Sequence, residues 1–276
     1  MAESAFQTQY RAEFIAGFEQ RQSLVRNMVT TEAVIKGNSA VFLVADSGGA
    51  TAVTRGLNGL IPARSDNLTP KTATLTEWHD LVRKTDFNVY ASQGDQRRIM
   101  QETTMAVVNR KMDQDIIGEL NTSTVDTGAT QTASLSLVMY AYTILGNNQV
   151  PLDGNVNALI TPAFFAYLMQ TKEFTNVDYV NAKPFTNALN SFRWANVNWV
   201  VHPNLPGFGT NAEKCFMFHK TSVGHAIDTK GIENLVDYNA EQGYSWARCT
   251  AHMGSETLQG AGIVVINHDG SNFAAQ

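Results

Sequence analysis

The hydrophobic pattern changes character along the chain. In the first segment, "AFQTQYRAEFIAGFEQRQSLVRNM", Phe6, Tyr10, Phe14 and Phe18 recur every four residues, while Arg11, Glu13, Glu19 and Arg21 occupy the intervening positions. That spacing predicts an amphipathic helix with one aromatic side, which must dock on its own domain or on a neighbouring subunit. Residues 38–92 lack any continuous alternating apolar face. Short β-type runs near 40–45, 50–55 and 81–90, with turns at Ser47-Gly48-Gly49 and Asn58-Gly59, predict an extended excursion that packs poorly on itself. Loops this long are usually functional or interaction segments.

The strongest helical signal follows. Asp95 is a good N-cap, and Ile99, Met105, Val108, Met112, Ile116 and Leu120 form the expected buried stripe of a helix over 95–120. At 1.5 Å per residue it would run about 39 Å. Of the clustered acids Asp113, Asp115 and Glu119, the last two then fall to its exposed face, and the cluster reads as a solvated or salt-bridged surface and not an ion site. A polar linker leads to a second helix over 134–147, stopped by Gly146 and Pro151. The second half alternates strands and helices. It has a strand at 157–161 and a helix from Pro162 through "PAFFAYLMQTKEF". Strands follow at 197–203 and 214–220, then a helix or turn from Thr221, a long strand in "YSWARCTAHMGSETL" and a last buried strand in "GAGIVVINHD". The class is α+β or α/β with inserted excursions, without internal repeats.

Composition adds one point. Charged residues are only 16% of the 276, where about 25% is usual, and 27 Thr and 23 Asn fill the gap. A surface of hydroxyls and amides suits burial against other subunits, where an unpaired charge is costly. The net charge of −5 and the lack of a basic block disfavour a nucleic-acid reader. Cys215 and Cys249 show no metal or disulfide spacing and fit a reducing cytosol. No signal peptide opens the chain, and its longest apolar runs fall far short of the ~20 residues of a membrane helix. A soluble protein made in the cytosol is expected, with no membrane partner.

Candidate chemistry is thin. "VADSGGA" at 44–50 has the look of a nucleophilic serine's surroundings, but the first histidine, His79, comes after Ser47, and no Gly-x-Ser-x-Gly elbow exists. Ser47 is read as part of a turn. His219 and His225 would lie ~20 Å apart along an extended chain, no HExxH occurs, and His202 before Pro203 reads as a loop position. No phosphate-binding glycine motif is present. The expectation is no catalysis, no metal and no cofactor, with a serine hydrolase using Ser47 or Ser222 as a remote alternative.

The run "DFNVYASQGDQRRIMQETTMAVVNRKMDQDIIGEL" resembles the spine-helix region of tailed-bacteriophage major capsid proteins. "QVPLDGNVNALITPAFFAYLMQTKEFTNVDYV", "WANVNWVVHPNLPG", "KCFMFHKTSVGHAIDTKGIENLVDY" and "ARCTAHMGSETLQGAGIVVINHD" follow in the family's order, so the resemblance covers about 30–269. It implies the α+β Hong Kong 97-like fold. The parts would be an N-terminal arm (1–37), an extended E-loop (38–92), a P-domain on the spine helix (93–147 and 240–258) and an A-domain (148–239 and 259–276). It also implies self-assembly as hexamers and pentamers into an icosahedral head that encloses double-stranded DNA non-specifically. Inter-subunit contacts are expected from Phe6, Tyr10, Phe14, Phe18, Arg55, Arg64 and Trp78. The expected partners are further copies, a portal protein, and either a separate scaffolding protein or none, since the arm begins almost at Met1. A decoration protein is left open. The protein would reside in the virion after synthesis in the host bacterial cytoplasm. Lys71 lies in the E-loop, but the sequence assigns it no Asn partner or acid, so whether covalent crosslinking occurs is left open. An encapsulin-like compartment shell, which shares the fold, is the alternative.

Overall fold

The computed structural model describes residues 22–34, 37–47, 49–56, 58–64, 67–91, 95–175 and 191–273. The aromatic stripe of Phe6, Tyr10, Phe14 and Phe18 lies outside the described residues.

The main core is a five-stranded sheet ordered β11-β8-β5-β7-β6. Its strands are β5 (Val156–Ile160), β6 (Ser191–Trp194), β7 (Val197–Val201), β8 (Glu213–His219) and β11 (Ile263–His268). β5 is buried at every position and runs parallel to β7, with β8 antiparallel on its other side. The mostly apolar run "VNALI" suits a strand covered on both faces, and its one polar residue, Asn157, donates to the Met28 carbonyl at 2.9 Å. Helix α3 (Leu135–Asn147) buries Leu137, Val138, Ala141 and Leu145, and the Ser134 hydroxyl caps it by accepting from the Leu137 N–H. Thr161 caps the short helix α4 (Pro162–Leu168), with Pro162 in its first turn; the chain breaks before α5 (Lys172–Thr175), so the single helix expected through Glu173 is two shorter pieces.

The second sheet is a ribbon ordered β1-β9-β10-β4, with β1 (Thr30–Val34), β4 (Thr76–Thr85), β9 (Val223–Asn239) and β10 (Tyr244–Thr257). Helix α2 (Gln96–Leu120) packs across it, and the Asp95 carboxylate accepts from the Arg98 N–H as expected of an N-cap. Along α2 the buried positions Met100, Thr104, Val108, Met112, Ile116 and Leu120 follow a four-residue spacing. The expected stripe is therefore corrected in its first half, where Met105 is 40% exposed and Thr104 is buried instead. Thr104 tolerates burial because its hydroxyl bonds back to the Met100 carbonyl at 2.9 Å. β10 meets the helix with small or slim side chains, Ser245, Ala247, Cys249 and Ala251, all buried.

Of the helix or turn expected from Thr221, the structure has the turn, a single 3-10 turn over Lys220–Ser222 that feeds the long β9. Gly224 and Gly231 interrupt its apolar pattern, and the strand is held by pairing with β1 and β10 instead of by local propensity. The strand expected at 81–90 is β4 at Thr76–Thr85 followed by the short helix α1 (Asp86–Ala91). No strand occurs at 50–55, and β2 (Ser39–Asp46) instead pairs with β3 (Asn67–Thr74), a strand hidden by Pro70. Proline lacks the N–H for a second ladder, and this two-stranded hairpin has open edges that do not need it. The ladders Asn239↔Tyr244 and Thr85↔Tyr244 join β4, β9 and β10 into one hydrogen-bonded ribbon.

The hairpin is anchored at its root. Phe42 packs with Val34, Ala40, Ala73 and Ala226, and a Cβ on Gly224 would lie 2.9 Å from the Phe42 ring. The Thr74 carbonyl lies so close to Gly254 that a Cβ there would be 2.1 Å away. Leu75 N–H donates to the Asn38 carbonyl at 2.8 Å, closing the root.

Candidate functional site

The most unusual surface is the hairpin beyond its root. Val41, Leu43 and Leu68 are exposed on its strands, and the connecting chain carries Val53, Leu60 (74% exposed) and Ile61 (66%). Large apolar groups left in water on one projecting element mark an interaction surface. Gly56 and Gly59 shape the loop tip, with a Gly59 N–H to Gly56 carbonyl bond of 2.9 Å and φ of +71° at Gly59. Arg55 is exposed on this loop, and the Arg64 guanidinium donates to the Ser47 carbonyl at 3.4 Å. Trp78 is different: it faces α2, with the Lys111 ammonium 4.0 Å over its ring, and belongs to the edge of the chain's own core.

Ser47 sits in an exposed turn closed by Ala50 N–H to its carbonyl at 3.2 Å, with Gly49 at φ +72°. None of the six histidines pairs with it. Ser222 donates to the Gly262 carbonyl at 3.0 Å. One serine does touch both a histidine and a carboxylate. Ser255 Oγ lies 2.8 Å from Asp115 and 3.0 Å from His225 Nδ1. A hydrolase needs the carboxylate on the far ring nitrogen of the histidine. Here the carboxylate accepts the serine hydroxyl's hydrogen bond, and His225 Nε2 is buried without a hydrogen-bond partner. Burial lowers the His225 pKa to about 4, so the ring stays neutral and donates through Nδ1 to the serine. The arrangement is a relay that ties α2, β9 and β10 together.

The acids of α2 are not on an exposed face. Asp113 is fully buried and accepts from Ser23 Oγ, from Leu24 N–H at 3.1 Å, from Val25 N–H at 3.3 Å and from His202 Nε2 at 3.3 Å. His202, expected on a loop, is itself fully buried, and its Nδ1 accepts from Asn204 N–H. Asp115 bonds Ser255, and Glu119 bonds Thr257, with burial raising the Glu119 pKa. Each acid thus has a protein partner, and among the described residues no group of three or more His, Cys, Asp or Glu suits a metal ion. Cys215 and Cys249 are buried thiols, pushed up to about 12 and about 11 by desolvation. Among the described residues no helix is long and apolar enough to cross a membrane.

A node and a relay of this kind fix architecture. The Asp113 node joins the segment entering from the N-terminus to α2 and to the end of β7. The hydrophobic pattern could not reveal it, because its donors come from residues 88–90 positions away.

A family model described as phage capsid protein matches residues 2–270. No curated protein matches the chain. Among solved structures, a chain from Mycobacterium phage Che8 superposes with a TM-score of 0.76 at 14% identity, covering 97% of this chain and 98% of that one. The capsid of Cyanophage P-SCSP1u gives 0.71 at 13% identity, over 96% and 94%. The capsid of a native GTA particle gives 0.70 at 13% identity, over 97% and 96%.

Proposed function

Because the chain belongs to the phage capsid protein family and has the Hong Kong 97-like α+β fold, we propose an account of how it builds a shell. It is a major capsid protein that self-assembles into an icosahedral head, and its role is structural. In this reading the copies form hexamers and pentamers around double-stranded DNA. They work with a portal protein, and the head is completed after synthesis in the host bacterial cytoplasm.

The observation that carries this reading is the β2–β3 hairpin beyond its root, whose Val41, Leu43 and Leu68 enter no core among the described residues. Burying a Leu or Ile side chain is worth roughly 1.5–3 kcal/mol, so Leu43, Leu60 and Ile61 would find that gain against a neighbour. Arg55 and Arg64 would contact the same neighbour, and the aromatic residues Phe6, Tyr10, Phe14 and Phe18 would hold a second one. Trp78 would contribute indirectly, by stiffening β4 on α2. We assign the arm to 1–37 and the E-loop to 38–75. The P-domain comprises α2, β4, β10 and the second half of β9, and the A-domain is the five-stranded sheet with its helices. This redraws the P-domain along the hydrogen-bonded ribbon.

Electron microscopy of the purified full-length protein, alone and with its phage partners, is the test. Closed particles are expected. A monomer or small oligomer under every condition would end the reading.

A further inference from the structure

Among the described residues the ribbon has two unpaired edges: β4 bonds only to β10, and β1 stops opposite Asp228, so the rest of β9 also bonds only to β10. On the face turned away from α2, register sets three rows across the strands: Arg83–Trp246–Asp237, Leu81–Arg248–Leu235 and His79–Thr250–Glu233. One edge of the ribbon therefore reads His79, Leu81, Arg83, and the other reads Glu233, Leu235, Asp237 at the same levels. Leu81 is 43% and Leu235 40% exposed. Between them Arg248 lies over the Trp246 ring at 5.9 Å, and Arg83 lies over the Tyr244 ring at 5.2 Å.

From this complementarity, and resting on the self-assembly proposed above, we infer that copies join edge to edge through their ribbons. The β4 edge of one copy pairs with the β9 edge of the next. β4 and β9 are both antiparallel to β10, hence parallel to each other. A second copy set alongside brings its β9 next to β4 in the same direction and at the same level. Arg83 then meets Asp237 of the second copy, Leu81 meets Leu235, and His79 meets Glu233. Opposite charges across adjacent strands attract and like charges repel. A twofold pairing of β9 with β9 about Leu235 would set Asp237 against Glu233, and a pairing of β4 with β4 about Leu81 would set Arg83 against His79. The charges that commonly protect an open edge here reject self-pairing and admit only the unlike edge. The contact is head to tail, so every copy uses both edges, as a closed ring of subunits requires.

The pair Leu81→Cys and Leu235→Cys tests the contact directly. Within one chain β10 separates the two positions by two strand spacings, about 9–10 Å, too far for a disulfide. Across the inferred contact they are neighbours. The native thiols Cys215 and Cys249 are both buried and do not compete. Particles of the double variant, oxidised and run on a non-reducing denaturing gel, are expected to give a ladder of covalent multimers, with each single variant giving monomer only. Intact particles that yield only monomer would overturn the edge contact and leave the capsid reading standing, whereas no particles from the unmodified chain would remove both. Should the cysteine pair prevent assembly, charge exchange decides. Arg83→Asp and Asp237→Arg are each expected to raise the protein concentration needed for assembly about tenfold or more, since like charges brought together across a contact are strongly unfavourable. The double exchange restores it. Single variants that assemble like the wild type would also overturn the contact.

Discussion

Removing the Asp113 carboxylate should unfasten the N-terminal segment from the core. Asp113→Ala leaves the buried Val25 N–H and His202 Nε2 without their acceptor, along with the partly buried Leu24 N–H and Ser23 hydroxyl. Each buried donor left unpaired costs about 1–3 kcal/mol. Two fully buried donors, with the others reaching water, give a loss of about 3–5 kcal/mol, in the range of a broken buried ion pair. At about 2–4 °C per kcal/mol for a chain of this size, the melting temperature of the unassembled protein falls by about 10 °C. Hydrogen exchange should also show faster exchange at the Leu24 and Val25 amides than at α2. His202→Ala combined with Asp113→Ala should cost less than the sum of the two, because they share one interaction. A loss below about 1 kcal/mol, or unchanged protection of both amides, would refute the reasoning.

Four further outcomes are expected. His225 is held neutral by burial, with its pKa lowered from 6.5 to about 4, so the native chain binds fewer protons than the unfolded one between those values. Its contribution is full above 6.5 and is lost as pH falls towards 4. His225→Gln should flatten the urea-midpoint profile across that window, and an unchanged slope would contradict the assignment. Gly254→Ala places a methyl 2.1 Å from the Thr74 carbonyl; it should cost at least ~1–3 kcal/mol and increase protease cleavage at the hairpin root. Ser134→Ala removes the α3 cap and should cost about 1 kcal/mol by thermal melting. Phe14→Ala with Phe18→Ala should impair assembly, read by sedimentation, more than it impairs monomer folding; equal loss would place that segment on its own domain.

What was legible in the sequence was whatever local chemistry decides. Asp95 marked a helix start because capping involves a residue three positions away, and Pro162 because its fixed φ suits a first helical position; both starts are where the structure has them. β10 and β11 were legible from alternation and from an unbroken apolar run. β9 was not, because Gly224 and Gly231 break its pattern and its partners lie elsewhere in the chain. The hairpin was visible as an excursion, since lacking an apolar face is itself a sequence property, but its β3 strand was hidden by Pro70. His202 does follow the end of β7 as a loop residue, but its burial against Asp113 was not legible. A carboxylate on a helix looks the same in sequence whether water or a distant backbone amide satisfies it.

The 17 residues of β9 are one continuous strand from the buried core to the ribbon tip, about 56 Å of extended chain at 3.3 Å per residue. Its ladder to β10 is irregular only between Ala251 and Met253, opposite the stretch that contains Gly231 at φ +67°. Mechanically this makes a cantilever with a single soft spot. A load applied at the turn after Asn239 would travel along hydrogen-bonded backbone into the five-stranded core, and bending would concentrate at Gly231. The stiffness of a wall built from such subunits would then depend on the irregular stretch 228–231 as well as on the contacts on either side of it.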